Sequence, residues 1–285
     1  MRLELAGTLA LPAPVVLKYD SDDTVDIASY IAQGYTHFDV ICIGAGGGSG
    51  GGIDTAGGGT GVRNYGGAGG GGGYHRVRGL LSALPGSCPV VVGIPGAAGA
   101  DHASNPASTT DGGDGEASTF NDPTCRASGG KGGKRAQSNS LTVTTDADGG
   151  EGGIGDRTIA GGGAAGGLAG TPTSGGPGTA GTDATDGTFA QDIGEGGGGG
   201  AGGVGKYSGA VTCNPATSGG RGSYNPGDTS VYGPAGTPQQ CDDCGALNIV
   251  PGGASGAKAA PLTGLPTVYG QSGEQGYVAI RLTAE

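Results

Sequence analysis

Cys241 and Cys244 form a C-x-x-C pair. Two cysteines at that spacing can hold a metal, close a local disulfide or exchange electrons. A structural zinc centre wants a second ligand pair at matching spacing, yet Cys42, Cys88, Cys125, Cys213 and the three histidines His37, His75 and His102 lie scattered. A redox role wants a βαβ setting, which the flanking sequence does not offer. A local disulfide or two free thiols is the expectation, with no metal.

Phosphate-binding patterns are also incomplete. Gly46-x-Gly48-x-x-Gly51 follows an apolar run, but more glycine follows it where a dinucleotide site needs a helix N-terminus. Gly200–Tyr207 (GAGGVGKY) matches a P-loop except that Tyr207 stands where a Ser or Thr would bind magnesium. Asp20, Asp22, Thr24 and Asp26 begin like a calcium loop, but Val25 replaces its glycine and Ile31 its closing glutamate. No nucleophile–base set or carboxylate pair stands out. The chain therefore reads as non-enzymatic, with no cofactor. The residues with surface-binding chemistry are tyrosines in polar stretches: Tyr207, Tyr224 and Tyr232, with Asn225 and Asp228 beside Tyr224. Tyrosine gives contact area with few rotors, so it suits a glycan or protein surface; it suits packing against glycine equally well.

The elements that must position such residues are unusual. Of 285 residues, 72 are glycine and 16 proline, whereas Leu, Ile, Val and Phe together number 44 and Trp is absent. That supply of large apolar side chains is too small for the core of a Rossmann domain, a TIM barrel or a helical bundle. The net charge of −11 repels phosphate backbones, so nucleic acid is not an expected partner. No stretch approaches the ~20 apolar residues of a membrane helix, and no insertion in a membrane is expected. Glu4 and two prolines interrupt the first residues, which do not read as a signal peptide.

Strand-like runs frame the glycine. Leu11–Lys18 reads as a short strand. Asp20–Gln33 reads as a helix capped by Asp22 or Asp23 and ended by Gly34 in the left-handed conformation. Tyr35–Ile43 is the clearest strand, rich in aromatic and β-branched residues. Residues 44–73 then hold 18 glycines. Tyr74–Leu81, Cys88–Ile94, Ser140–Thr145 and Gly276–Leu282 are the later strand candidates. A closing strand at Gly276–Leu282 implies that the first and last strands meet.

Glycine inside helices or strands costs ~0.5–1 kcal/mol each relative to alanine. The clusters are therefore either flexible linkers or packed polyproline II-type chains, with three residues per turn and ~3.1 Å rise. Such chains have no internal hydrogen bonds, so their amides must bond laterally, and glycine permits the approach. Gly194–Gly205 would run about 37 Å in that form. Short, bounded clusters with little Lys or Glu between them favour packing. The expected fold is mostly irregular and β: a small β framework of N-terminal, central and C-terminal strands enclosing polyglycine II helices joined by polar loops. Residues 1–34 read as a docking segment and 35–285 as the glycine-rich domain.

The order of motifs FDVICIGAGGGSGGG, GGAGGGGGYHRVR, LPGSCPVVVGIPGAAG, DGGDGEASTFND, ASGGKGG and GQSGEQGYVAIRL resembles the glycine-rich domain of bacteriophage tail proteins. The likeness is greatest to minor tail proteins of phages infecting actinobacteria, over roughly residues 35–285. The long stretches at 101–128 and 206–248 and the cysteines are less typical. The resemblance implies a virion protein at the tail tip or fibre, assembled in the host cytoplasm. It implies a homotrimer, other tail proteins as partners, and loops that face a host envelope glycan or lipid. It supplies no catalytic residues. A bacterial cell-surface glycine-rich protein is the alternative, though the sequence lacks monotonous GGxGG repeats and a helical leader. An ice-binding protein would need a regularly repeated flat face, which the irregular loops do not provide.

Overall fold

The computed structural model describes residues 11–51, 53–54, 63–64, 69–70, 72–100, 109–135, 192–195, 205–206 and 272–285. In chain order the elements are β1 (Val15–Tyr19), β2 (Asp23–Val25), α1 (Ile27–Ala32), β3 (His37–Ile43), β4 (Ile53–Asp54) and β5 (Arg63–Asn64). They continue with β6 (Tyr74–Leu80), a 3₁₀ turn (Leu81–Ala83), β7 (Cys88–Val91), β8 (Ser118–Phe120), β9 (Cys125–Ala127), β10 (Asp192–Glu195), β11 (Gly205–Lys206) and β12 (Tyr277–Thr283). Among the described residues the architecture is mostly β and irregular, with almost no helix.

Three antiparallel sheets organise the chain. The first runs β1-β12-β3-β6-β10, the second β2-β7-β8-β9, and the third β11-β5-β4. The first and last long strands do meet: β12 lies between β1 and β3, with Val15 opposite Leu282 and Ile280 opposite Val40. β3 earns its central place through its residue types, since Phe38, Val40 and Cys42 alternate onto one buried face. They align there with Leu282, Ile280 and Val278 of β12.

This face packs on the second sheet. Val25, Cys88, Val90, Phe120, Cys125 and Ala127 come from below, and Ile27, Tyr35 and Leu81 close the side. The Phe38 and Phe120 rings sit 6.2 Å apart at 52°. This two-layer sandwich is the whole of the principal apolar core among the described residues.

The helix is shorter than the sequence implies. It begins at Ile27, and Asp26 rather than Asp22 or Asp23 caps it, accepting the Ser29 N–H at 3.1 Å. Tertiary pairing takes the residues before it: Asp23–Val25 bonds to β7, and the Asp22 carboxylate accepts the Val92 N–H at 2.8 Å. The acids that resemble a calcium loop are thus partly spent on backbone amides. Gly34 ends the helix with φ +95°, as expected of a left-handed cap.

The β8–β9 hairpin has no sequence forecast, because three-residue strands are too short to show alternation. It turns at Asn121, φ 43°, whose side-chain amide donates to Thr124 Oγ1 at 2.9 Å. Gly194 and Gly205, the expected ends of one glycine helix, lie in β10 and β11 instead.

The first and third sheets are linked by equal lengths of chain. Ile43 pairs Tyr74 and Ile53 pairs Asn64; Glu195 pairs Tyr74 and Gly205 pairs Asn64. Each of the three intervals, 43 to 53, 64 to 74 and 195 to 205, is therefore ten positions long.

Candidate functional site: the glycine array

The glycine segments grow from the strands. Residues 44–51 continue β3, 93–100 continue β7 and 128–135 continue β9; 72–73 lead into β6, 109–117 into β8 and 272–276 into β12. The sandwich thus sets their positions, and their own amides finish the packing.

Residues 44–51 form the centre, and every one of them is buried. Their N–H groups donate to three neighbours in rotation. Gly44 and Gly47 donate to Gly73 and Gly70; Ala45, Gly48 and Gly51 to Glu116, Gly113 and Thr110; and Gly46 to Glu274. Their carbonyls accept from two more segments: Gly130 and Gly133 donate to Ala45 and Gly48, and Gly96 and Gly99 to Gly46 and Ser49. The direction of bonding therefore turns by a third of a revolution at each residue. That is the period of a chain with three residues per turn. The surrounding segments also bond to one another, as in Gly70 to Lys131, Gly112 to Gly133, Gly113 to Ala97 and Gly273 to Gly96. Among the described residues, five segments thus flank the sixth. Three run antiparallel to it and two parallel, in alternation.

At Gly44, Gly47, Gly48 and Gly50 the approach is close enough to exclude a side chain. A Cβ on Gly48 would lie 2.0 Å from the Ala97 carbonyl oxygen, and one on Gly47 2.1 Å from that of Lys131. The hydrogens that replace those Cβ atoms point at carbonyls and add weak Cα–H···O attraction. The Gly46-x-Gly48-x-x-Gly51 pattern belongs to this centre. No helix follows it among the described residues.

At the rim the same period spaces the side chains. Asp111 and Asp114 face Lys134 and Lys131 on the antiparallel neighbour, with contacts of 3.2 and 2.7 Å. Asp114 also accepts the Gly132 N–H at 2.9 Å, and Asp111 that of Arg135 at 2.9 Å. Partial burial works against ionisation of Asp114. The hydrogen bonds from Lys131 and Gly132 and the charges of Lys131 and Lys134 outweigh it, so its carboxyl is held below the usual range. Both pairs are largely exposed and contribute little to stability.

Where strand passes into glycine, Ser118 is the connector. It is fully buried, and its hydroxyl accepts the Gly93 N–H at 2.9 Å. Ser118→Ala strands that amide without a partner, an expected loss of about 1–3 kcal/mol. Ser118→Thr keeps the acceptor but adds a methyl beside Gly276, whose absent Cβ would already lie 2.2 Å from the hydroxyl. Chemical denaturation of the two variants is expected to show both destabilised.

Beneath the junction lie Cys42, Cys125 and His75. Cys42 sits opposite His75 in the β3–β6 register, and Cys125 donates its thiol to the His75 carbonyl at 3.4 Å. His75 Nδ1 accepts the Arg126 N–H at 3.2 Å. Cys42, Cys88 and Cys125 are free thiols and fully buried. Burial pushes the Cys125 thiol well up; the neighbouring Cys42 adds to this and His75 opposes it, while burial alone raises Cys88. Burial also pushes Tyr19 up to about 12, helped by Asp23 and Tyr30.

These shifts favour the neutral forms in the folded chain. For the thiols the stabilising effect is full below the ordinary value of ~8.5 and is lost as pH climbs above it; for Tyr19 it is lost only above the ordinary phenol value of ~10. Melting temperature is expected to fall between pH 8 and 10.5. Alkylation followed by peptide mapping is expected to leave these three thiols untouched at pH 8 until denaturant is added.

Cys241, Cys244, Tyr207, Tyr224, Asn225, Asp228 and Tyr232 lie outside the described residues, as does Ser140–Thr145. The array was signalled in sequence by glycine count, but its charged rim was not singled out. The signal was there in D-G-G-D and K-G-G-K, two like charges three positions apart on each of two facing segments.

A strand-framed body whose centre is bare main chain defines a glycine-rich structural protein. The chain belongs to the glycine-rich domain family, which it matches over residues 23–283. Comparison with curated proteins gives no match.

Proposed function

We propose that this protein is a non-enzymatic structural component of a bacteriophage virion, a minor tail protein at the tail tip or fibre. In this reading the glycine segments are polyglycine II helices. The protein acts as a homotrimer among other tail proteins, and its polar loops face a glycan or lipid of the host envelope. Residues 1–34 serve as the docking segment.

The observation that carries the reading is the central segment 44–51, bonded to five neighbours and free of large side chains. Such a body is stiff without a large apolar core. The motif order quoted above supplies the link to phage tails.

Immunogold labelling and peptide mass spectrometry of purified particles test the assignment. The protein is expected in the particle, at the distal tail. Its absence from particles, or its recovery in the cell envelope of uninfected bacteria, overturns it. The helix assignment is tested separately by circular dichroism, which is expected to show an extended left-handed signal that melts cooperatively.

A further inference from the structure

The outer face of the first sheet, on the side away from the sandwich, carries a cavity of about 350 Å³. His37, Asp39, Arg78, Arg281, Thr283 and Glu285 line it. One cross-strand row runs Val16, Arg281, Asp39, Arg78, so a single carboxylate stands between two guanidinium groups. A third, Arg76, reaches the same carboxylate from further along β6.

Asp39 is held by Arg76 and Arg78 and makes no ion pair with Arg281. Arg76 donates its Nε to Oδ1 at 2.7 Å and its Nη2 to Oδ2, and Arg78 donates its Nε to Oδ2 at 3.1 Å. Arg281 makes no ion pair among the described residues. The other carboxylate in the cavity, Glu285, is exposed and touches the Thr283 hydroxyl at 3.5 Å. His37 is engaged at Nδ1 by the Thr36 hydroxyl at 2.8 Å. The cavity lining thus sets two guanidinium groups against two carboxylates, and Arg281 is the guanidinium left outside any ion pair among the described residues, with hydroxyl and imidazole groups beside it.

We propose that this cavity binds an oxyanion carried on a sugar-sized body, with Arg281 as the anion contact and Thr283 and His37 as partners for hydroxyl groups. A planar guanidinium matches a carboxylate or a phosphate ester with two parallel N–H···O bonds. The volume falls in the range of small-ligand sites and takes one or two sugar rings. A uronic acid and a sugar phosphate offer the same oxyanion chemistry. The site stands or falls apart from where the protein resides, since it needs neither a virion nor a trimer.

Isothermal titration calorimetry of the full chain against glucuronate, glucose 1-phosphate and glucose, at constant ionic strength, tests it. Binding of at least one charged sugar with a Kd of about a millimolar is expected, with glucose much weaker. Glucuronate alone would assign a carboxylate ligand, glucose 1-phosphate alone a phosphate ester, and both together the shared oxyanion chemistry. Arg281→Gln is expected to weaken the charged sugars about tenfold or more, and Thr283→Val to weaken them less. The proposal is overturned if neither charged sugar binds the wild-type chain or if glucose binds as well as they do. Unchanged binding by an Arg281→Gln chain that melts like the wild type also overturns it. Should Arg281→Gln not fold, the wild-type titrations and Thr283→Val decide.

Discussion

Gly48→Ala is expected to destabilise the protein by more than about 3 kcal/mol, at or beyond the upper end of ordinary overpacking. For a chain of this length that is a fall in melting temperature of about 10 °C. The added methyl would lie 2.0 Å from the Ala97 carbonyl oxygen and 2.5 Å from its carbon. Those atoms are main chain, so no side chain can swing away. Moving the 93–100 segment outward breaks the bonds from Gly96 to Gly46, Gly99 to Ser49 and Gly113 to Ala97. Gly86→Ala is the matched control. Its methyl would meet the Ala28 Cβ at 3.5 Å, an ordinary contact, and its φ is not in the left-handed region. It is expected to leave the melting temperature within about 2 °C, consistent with a surface substitution away from special features. Thermal melts of the pair, followed by circular dichroism, give the comparison. Equal behaviour of the two variants would show that the central segment is not packed as described.

Inserting one glycine between Gly48 and Ser49 is expected to do more damage than inserting three. One extra residue turns every later donor by a third of a revolution. Gly51, which reaches Thr110, would turn toward a different neighbour at the wrong height, and buried amides would lose their partners at about 1–3 kcal/mol each. Three extra residues restore the direction and only displace the segment along its axis, by about 9 Å at ~3.1 Å per residue. The ten-position spacing between the Ile43–Tyr74 and Ile53–Asn64 pairs is disturbed in both cases, so neither insertion is silent. The expected order of soluble, cooperatively melting protein is wild type, then three, then one. A one-residue insertion as stable as the three-residue one would remove the basis for the three-residue period.

The framework was readable because β-branched and aromatic residues cluster where it forms. Tyr35–Ile43, Tyr74–Leu81 and Gly276–Leu282 mark strands that become neighbours in one sheet. The meeting of the first and last strands followed from the need to close a body that has little core. What was not readable depended on partners far along the chain. Asp23–Val25 lies in a stretch that suits a helix locally, but β7 claims it. Gly194 and Gly205 look like their glycine neighbours, yet pairing with His75 and Asn64 draws them into sheets. Composition required lateral bonding between glycine segments; it could not say which segment would take the centre. That choice falls to β3, whose place in the first sheet and over the second aims residues 44–51 between the others. The tyrosines and the C-x-x-C pair were conspicuous by chemistry alone, with no strand pattern nearby to fix their neighbours.

The pairing of β1 with β12 has a mechanical consequence. The two strands are antiparallel, so Val15 and Leu282 lie together at one end of a ladder of five residue pairs. A load that enters through the chain before Val15 and leaves beyond Leu282 peels this ladder one rung at a time instead of shearing all rungs at once. Extension should therefore begin at low force, with β1 coming away first. The segments behind it, cross-linked sideways by main-chain amides, would then resist as a block.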